Sequence, residues 1–83
     1  MQEVTKKLIE EIENDLKNQI DLKTLKTNNP LYLHFGVGMY IRNKYLWKNP
    51  ELCKKLSLDF GSSHPDEISS EIIQYIKEKN HLN

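Results

Sequence analysis

Apolar residues recur at three- and four-residue intervals from the start of the chain, at Val4, Leu8, Ile9, Ile12, Leu16 and Ile20. At about 100° per residue they fall within less than half of a helical circumference, which predicts an amphipathic helix over residues 3–20 with a polar outer face. Charged pairs three or four apart, such as Glu3–Lys7 and Glu13–Lys17, are expected to lie solvated on that outer face. The period is lost in DLKTLKTNN, residues 21–29, which reads as a connecting loop or a frayed helix end.

Asn29-Pro30 then carries the signature of a helix start, with Asn as the cap and Pro at the first helical position. On a helical plot of the next segment, LYLHFGVGMYIRNKYLW, Leu31, Phe35, Met39, Tyr45 and Leu46 share one face. Leu33, Val37, Tyr40, Ile41 and Trp47 cover much of the rest. A helix apolar nearly all round belongs in the middle of its domain. Gly36 and Gly38 oppose a helix, each costing roughly 1 kcal/mol relative to Ala. The competing reading is a short extended piece over Leu31–Phe35 with a turn at the glycines. Asn49-Pro50-Glu51 repeats the start signal for a short helix through Leu52, Leu56 and Leu58, ending near Gly61. The last helix opens at Ser63-His64-Pro65-Asp66. Pro65 at the first position makes His64 the cap, whereas the capping-box spacing would select Ser63. Ile68, Ile72, Ile73, Tyr75, Ile76 and Leu82 line one half of that helix to about Lys79. The expected fold is all-α: a compact four-helix single domain over residues 1–83, with helix 2 central. Residues 1–27 supply an amphipathic helix and loop, and residues 28–83 the core that carries the motifs.

Size and composition narrow the function classes. Eighty-three residues allow one domain and exclude a TIM barrel or an ordinary doubly wound nucleotide-binding domain. No apolar run approaches the roughly 20 residues of a membrane span, and the charged N-terminus does not suit a signal peptide. A lone Cys53 excludes an internal disulfide framework and fits a reducing cytoplasm. Cys53 is expected to be a small apolar side chain, although Lys54 and Lys55 beside it would lower a thiol pKa if they were close.

The net charge of zero argues against a dedicated nucleic-acid binder, but the charges are unevenly placed. Residues 1–27 hold five lysines against six acids, residues 28–58 five basic groups against Glu51, and residues 59–83 two lysines against five acids. The basic stretch over residues 42–55, with Lys44, Lys48, Lys54 and Lys55 near Tyr40 or Trp47, would suit an acidic protein or a nucleic-acid backbone. Mutual neutralisation of basic and acidic helices is the plainer account.

Arg42 is the one charge that falls in the middle of an apolar face. A buried guanidinium cannot shed its proton and needs a carboxylate or several carbonyls around it. By topology the nearest carboxylates are Asp66 and Glu67, then Asp59. The favoured reading is a structural tie from helix 2 to the His64-Pro65-Asp66 turn. The alternative is the floor of a pocket for an anionic ligand or side chain. His34, Asn43, His64 and Asp66 are the groups that would complete such a pocket. No spacing matches a zinc motif, and Gly36-Val37-Gly38 lacks the strand and third glycine of a phosphate loop. No cofactor, metal or catalytic set is expected.

Two resemblances accompany these residues. The HPD tripeptide resembles the J-domain of heat-shock co-chaperones, but the lysine- and arginine-rich helix that precedes it there is absent. A wider likeness covers residues 31–79. HFGVGMYIRN, the following LW and HPDEISSEII resemble a family of small bacterial domains of uncharacterised function. The likeness points to His34, Phe35, Gly36, Gly38, Arg42, Asn43, Leu46, Trp47, His64, Pro65, Asp66 and Ser69. It implies a polar junction of Arg42 and Asn43 with Asp66, brings no activity, and leaves residues 1–27 unmatched. The leading functional expectation is a non-catalytic protein-interaction or regulatory module, immunity- or antitoxin-like, using Arg42, Asn43, Trp47, His34, His64 and Asp66. Its partner is expected to be another protein or a second copy of itself. A nucleic-acid-binding regulator and a small-ligand or enzyme site around Arg42 are the alternatives.

Overall fold

Each expected helix forms where its start and stop residues place it. α1 runs Glu3–Gln19, α3 runs Pro50–Phe60 and α4 runs Pro65–Lys79. α2 is continuous over residues 30–46 and passes through both glycines without a break. The structure, a computed structural model, describes residues 1–26 and 29–82, and among these there is no strand. The side-chain oxygens of Asn29 and Asn49 accept backbone N–H bonds from Leu31 and Leu52, at 3.0 and 3.2 Å, as helix caps should. Gly61 ends α3 in the left-handed region at φ 75°, where a side chain would be strained. Before α4 the proline register wins. His64 is the cap, its Nδ1 accepting the Asp66 N–H at 3.2 Å, and Ser62 Oγ accepts the His64 N–H.

Not all of residues 21–29 is a plain connector. Leu22–Lys26 coils into a short 3-10 turn that drives Leu25 fully into the core, and residues 27 and 28 lie outside the described residues. The core is a single cluster drawn from every helix, centred on Ile12, Leu25, Ile41, Leu56, Ile68, Ile72 and Ile76. α2 packs closely on α4 and α3 and is hydrogen-bonded to α1, so it is central to the fold.

It is not buried all round. Leu31, Phe35, Met39 and Trp47 are 63%, 57%, 41% and 52% exposed. The cause is its winding. Tyr32–Gly38 and Arg42–Leu46 are π-helical, with Met39–Ile41 α-helical between them. A π-turn closes from i to i+5 and holds more residues than the 3.6 of an α-turn, so the mixture averages about four residues per turn. Burial along α2 accordingly repeats every four residues. The rows 33-37-41-45 and 34-38-42-46 face inward, and the row 31-35-39-43-47 lies open along its whole length. The α-helical face that would group Leu31, Phe35 and Met39 with Tyr45 and Leu46 is therefore split, the last two turning inward. On α3, Leu58 also points to solvent, as does Tyr75 on α4.

The two glycines of α2 are unequal. A Cβ on Gly38 would stand 2.8 Å from both the Arg42 Nη1 atom and the Leu33 carbonyl oxygen. At Gly36 its nearest neighbour would be the Tyr32 ring at 3.4 Å, an ordinary contact. Gly36→Ala should therefore stabilise the fold by about 0.5–1 kcal/mol through helix propensity. Gly38→Ala should destabilise it by about 1–3 kcal/mol through overpacking, and urea unfolding of the two variants will show opposite signs.

Candidate functional site

Arg42 sits at the α2–α4 seam with only 3% of its surface exposed. Its row on α2 includes His34 below it and Gly38 beside it, and the missing Cβ of Gly38 makes room for the guanidinium. Nη2 donates to the His34 carbonyl at 2.9 Å and Nη1 donates to Ser69 Oγ at 3.0 Å. Nε lies 3.2 Å from Asp66 Oδ1. Ser69 passes its own hydroxyl proton on to the Asp66 carbonyl at 2.9 Å. Each of the three nitrogens has an oxygen partner and the group is almost fully buried, so the guanidinium serves as a tie between α2 and α4. Among the described residues no buried side-chain nitrogen or oxygen lacks a partner.

The residues singled out by the sequence are only partly brought together. Arg42, Asp66 and the backbone of His34 meet, and His64 adjoins them through its cap on α4. Asn43 does not join the junction; it belongs to the exposed row of α2. The His34 ring meets Phe35 edge-on, with centroids 4.7 Å apart. Trp47 lies at the other end of the open row. No group of three metal-ligating side chains occurs among the described residues.

Two shallow hollows lie near the two ends of α2, the first against α4 and the second against α3 and the first residue of α4. The first, about 300 Å³, is lined by Leu33 and His34 of α2 and by Ile73 and Lys77 of α4. The second, about 270 Å³, is bounded by Leu46, Trp47, Cys53, Lys54 and Pro65. The Cys53 thiol is buried, its pKa is pushed up by that burial, and it makes a 3.5 Å contact with the Leu46 carbonyl, so it behaves as a small apolar group.

Three further polar anchors hold α1 and were missed by the period argument. Asp15 accepts from Lys44 Nζ at 2.7 Å, from the Tyr45 hydroxyl at 2.7 Å and from the Tyr40 hydroxyl at 2.9 Å. These donors, Lys44 first, draw its carboxyl down to about 2. Burial and the facing carboxylate push Tyr45 up to about 12. Lys44 is thereby withdrawn from the basic stretch. Glu13 does not sit on a solvated face with Lys17. It is buried, and its two oxygens accept from Lys79 at 2.9 Å and Asn80 at 2.7 Å. Burial would raise its pKa, but these partners outweigh that and the net shift is downward. Asp59 accepts from Thr5 Oγ1 and from the backbone and side-chain nitrogens of Gln2, which likewise lowers its pKa. The signal was present, because residues 5, 9, 13 and 16, and likewise 8, 12 and 15, follow the helical repeat of the buried stripe.

The family described as Domain of unknown function (DUF6794) matches residues 1–79. The match begins at the first residue, so α1 lies inside the family's domain and is no addition to it. No curated protein and no solved structure matches the chain.

Two outcomes are expected from these anchors. Asp66→Ala strands a buried charge and should cost about 2–4 kcal/mol in chemical unfolding. Arg42→Met should cost less, because the carboxylate it leaves behind is 45% exposed and can be rehydrated. Asp15 has a folded pKa near 2 against an ordinary 3.8, so its stabilisation is complete above about pH 4 and is lost as the pH falls towards 2. Asp15→Asn should lower the melting temperature at pH 7 and flatten its fall across that window, with Glu13 and Asp59 supplying the residual slope.

Proposed function

The chain belongs to the DUF6794 family, and on that premise we propose that it is a non-catalytic protein-interaction or regulatory module of the bacterial cytoplasm. The observation that carries this reading is a division of labour on α2. The polar groups capable of chemistry, Arg42 and Asp66 above all, are spent on one another, while Leu31, Phe35, Met39 and Trp47 stand open in a continuous row. An exposed row of large apolar side chains is costly to solubility and marks surfaces that are covered in use. A reduced, buried Cys53 suits a cytoplasmic setting. No helix among the described residues is long and apolar enough to cross a membrane. Small size is compatible with a role such as that of an immunity or antitoxin-like partner.

The nucleic-acid alternative is weakened by the pairing of Lys44 with Asp15, which leaves Lys48, Lys54 and Lys55 as the cations of the middle segment without a carboxylate partner among the described residues. The enzyme or small-ligand alternative loses Arg42 in the same way.

Affinity capture from the cells that make the protein tests the reading. Wild type should retain a protein in near-stoichiometric amount, and Met39→Glu should lose it while melting at the same temperature, since residue 39 contributes nothing to the core. Recovery of nucleic acid in place of protein, released by salt and abolished by Lys48→Glu with Lys54→Glu, would refute it.

A further inference from the structure

The same row on α2 also carries information about what covers it. Residues 31 to 47 span about 20–25 Å at the rise of a helix, the length of a docked helix of four or five turns. The row is regular, one large side chain per turn, interrupted only by Asn43. A regular apolar ridge of this length matches the apolar face of one amphipathic helix, whose residues three and four apart pack along it as two helices pack on each other. A hollow near each end of α2 gives such residues a place to enter.

Charge selects the occupant. Lys77 lines the first hollow and Lys54 the second, and no acidic residue lines either. Lys48 follows Trp47 at the end of the row and is exposed. Among the described residues none of these three lysines has a carboxylate within ion-pair distance, unlike Lys44 and Lys79. Glu67 and Glu71 are exposed on α4 but border neither hollow. A second copy of the chain is a poor occupant. Paired with itself, the row would bring the lysines of the two hollows against the same lysines of the other copy, with no acid lining either hollow to meet them. Elsewhere the exposed positions of α1 from Glu3 to Gln19 are all polar, and α3 exposes only Leu58 and α4 only Tyr75 among large apolar groups.

We propose that the α2–α4 seam binds an acidic amphipathic helix of another protein, its apolar side on Leu31, Phe35, Met39 and Trp47 and its carboxylates against Lys54 and Lys77. This rests on the protein-interaction reading and sharpens it to one surface and one partner chemistry. Buried apolar contacts supply the affinity. The lysines set orientation and speed encounter, an effect that salt weakens.

The test places a photoreactive benzophenone amino acid at position 39 of the full chain, in the cells that make it, with position 58 on α3 as a second site. The cross-linked peptide is then sequenced. The expected product at position 39 is one segment of another protein, net acidic, with apolar residues three and four apart. Lys54→Glu combined with Lys77→Glu should reduce that cross-link at least about tenfold without changing the melting temperature, as reversal of two charge contacts requires. A segment from a second copy, a basic segment, or an undiminished yield in the charge-reversed chain overturns the proposal. Cross-links to protein at position 58 and none at 39 overturn the seam while leaving the interaction reading intact. No protein cross-link at either position overturns both.

Discussion

A guanidinium that cannot lose its proton must be surrounded by oxygen atoms once it leaves water, and this requirement organises the helical pair at the centre of the molecule. Arg42 finds its oxygens on two helices: the His34 carbonyl on its own, and Asp66 and Ser69 on α4. Meeting them fixes the rotation of α2 about its axis and its height against α4. It also dictates residue 38, because the guanidinium fills the space a Cβ would take. The Gly-x-Gly element thus has one glycine that is sterically required and one that is merely permitted.

The other anchors follow the same logic at lower stakes. A domain of this size buries a smaller fraction of its surface than a larger one does, so a single hydrophobic cluster leaves little margin. Asp15, Glu13 and Asp59 each collect two or more donors from a helix distant in sequence, holding α1 to α2, to the end of α4 and, through its own Gln2 and Thr5, to α3. Each is an acid drawn below its ordinary pKa, and each keeps part of its surface or its partner's near solvent. Ion pairs in such positions avoid the full desolvation penalty of a deep interior pair.

The arrangement has a functional consequence. Arg42, Asp66 and Ser69 are consumed by the fold, and the exposed row that remains on α2 is apolar. The π-turns are the link between the two facts. By winding α2 at about four residues per turn, they gather the inward groups into two rows and leave a third row uncovered.

Local chemistry is what the sequence by itself determined. Asn29, Asn49, Pro50, His64, Pro65 and Gly61 set the helix ends, because capping and proline geometry act within four residues and need no distant partner. Arg42 was recognisable as a buried charge in need of a carboxylate from the first turn of α4, where Asp66 and Glu67 were both within reach, and the folded chain selects Asp66. Rotation and partnership were decided only by the tertiary structure. A plot at 3.6 residues per turn cannot anticipate π-winding. It therefore groups Tyr45 and Leu46, which turn inward, with Leu31, Phe35 and Met39, which stay exposed. Glu13, Asp15 and Lys44 read as surface charges in sequence for a related reason. Glu13 and Asp15 follow the repeat of the buried stripe, but partners 66 and 29 residues away leave no mark on that repeat, and only the folded chain shows which charges water keeps.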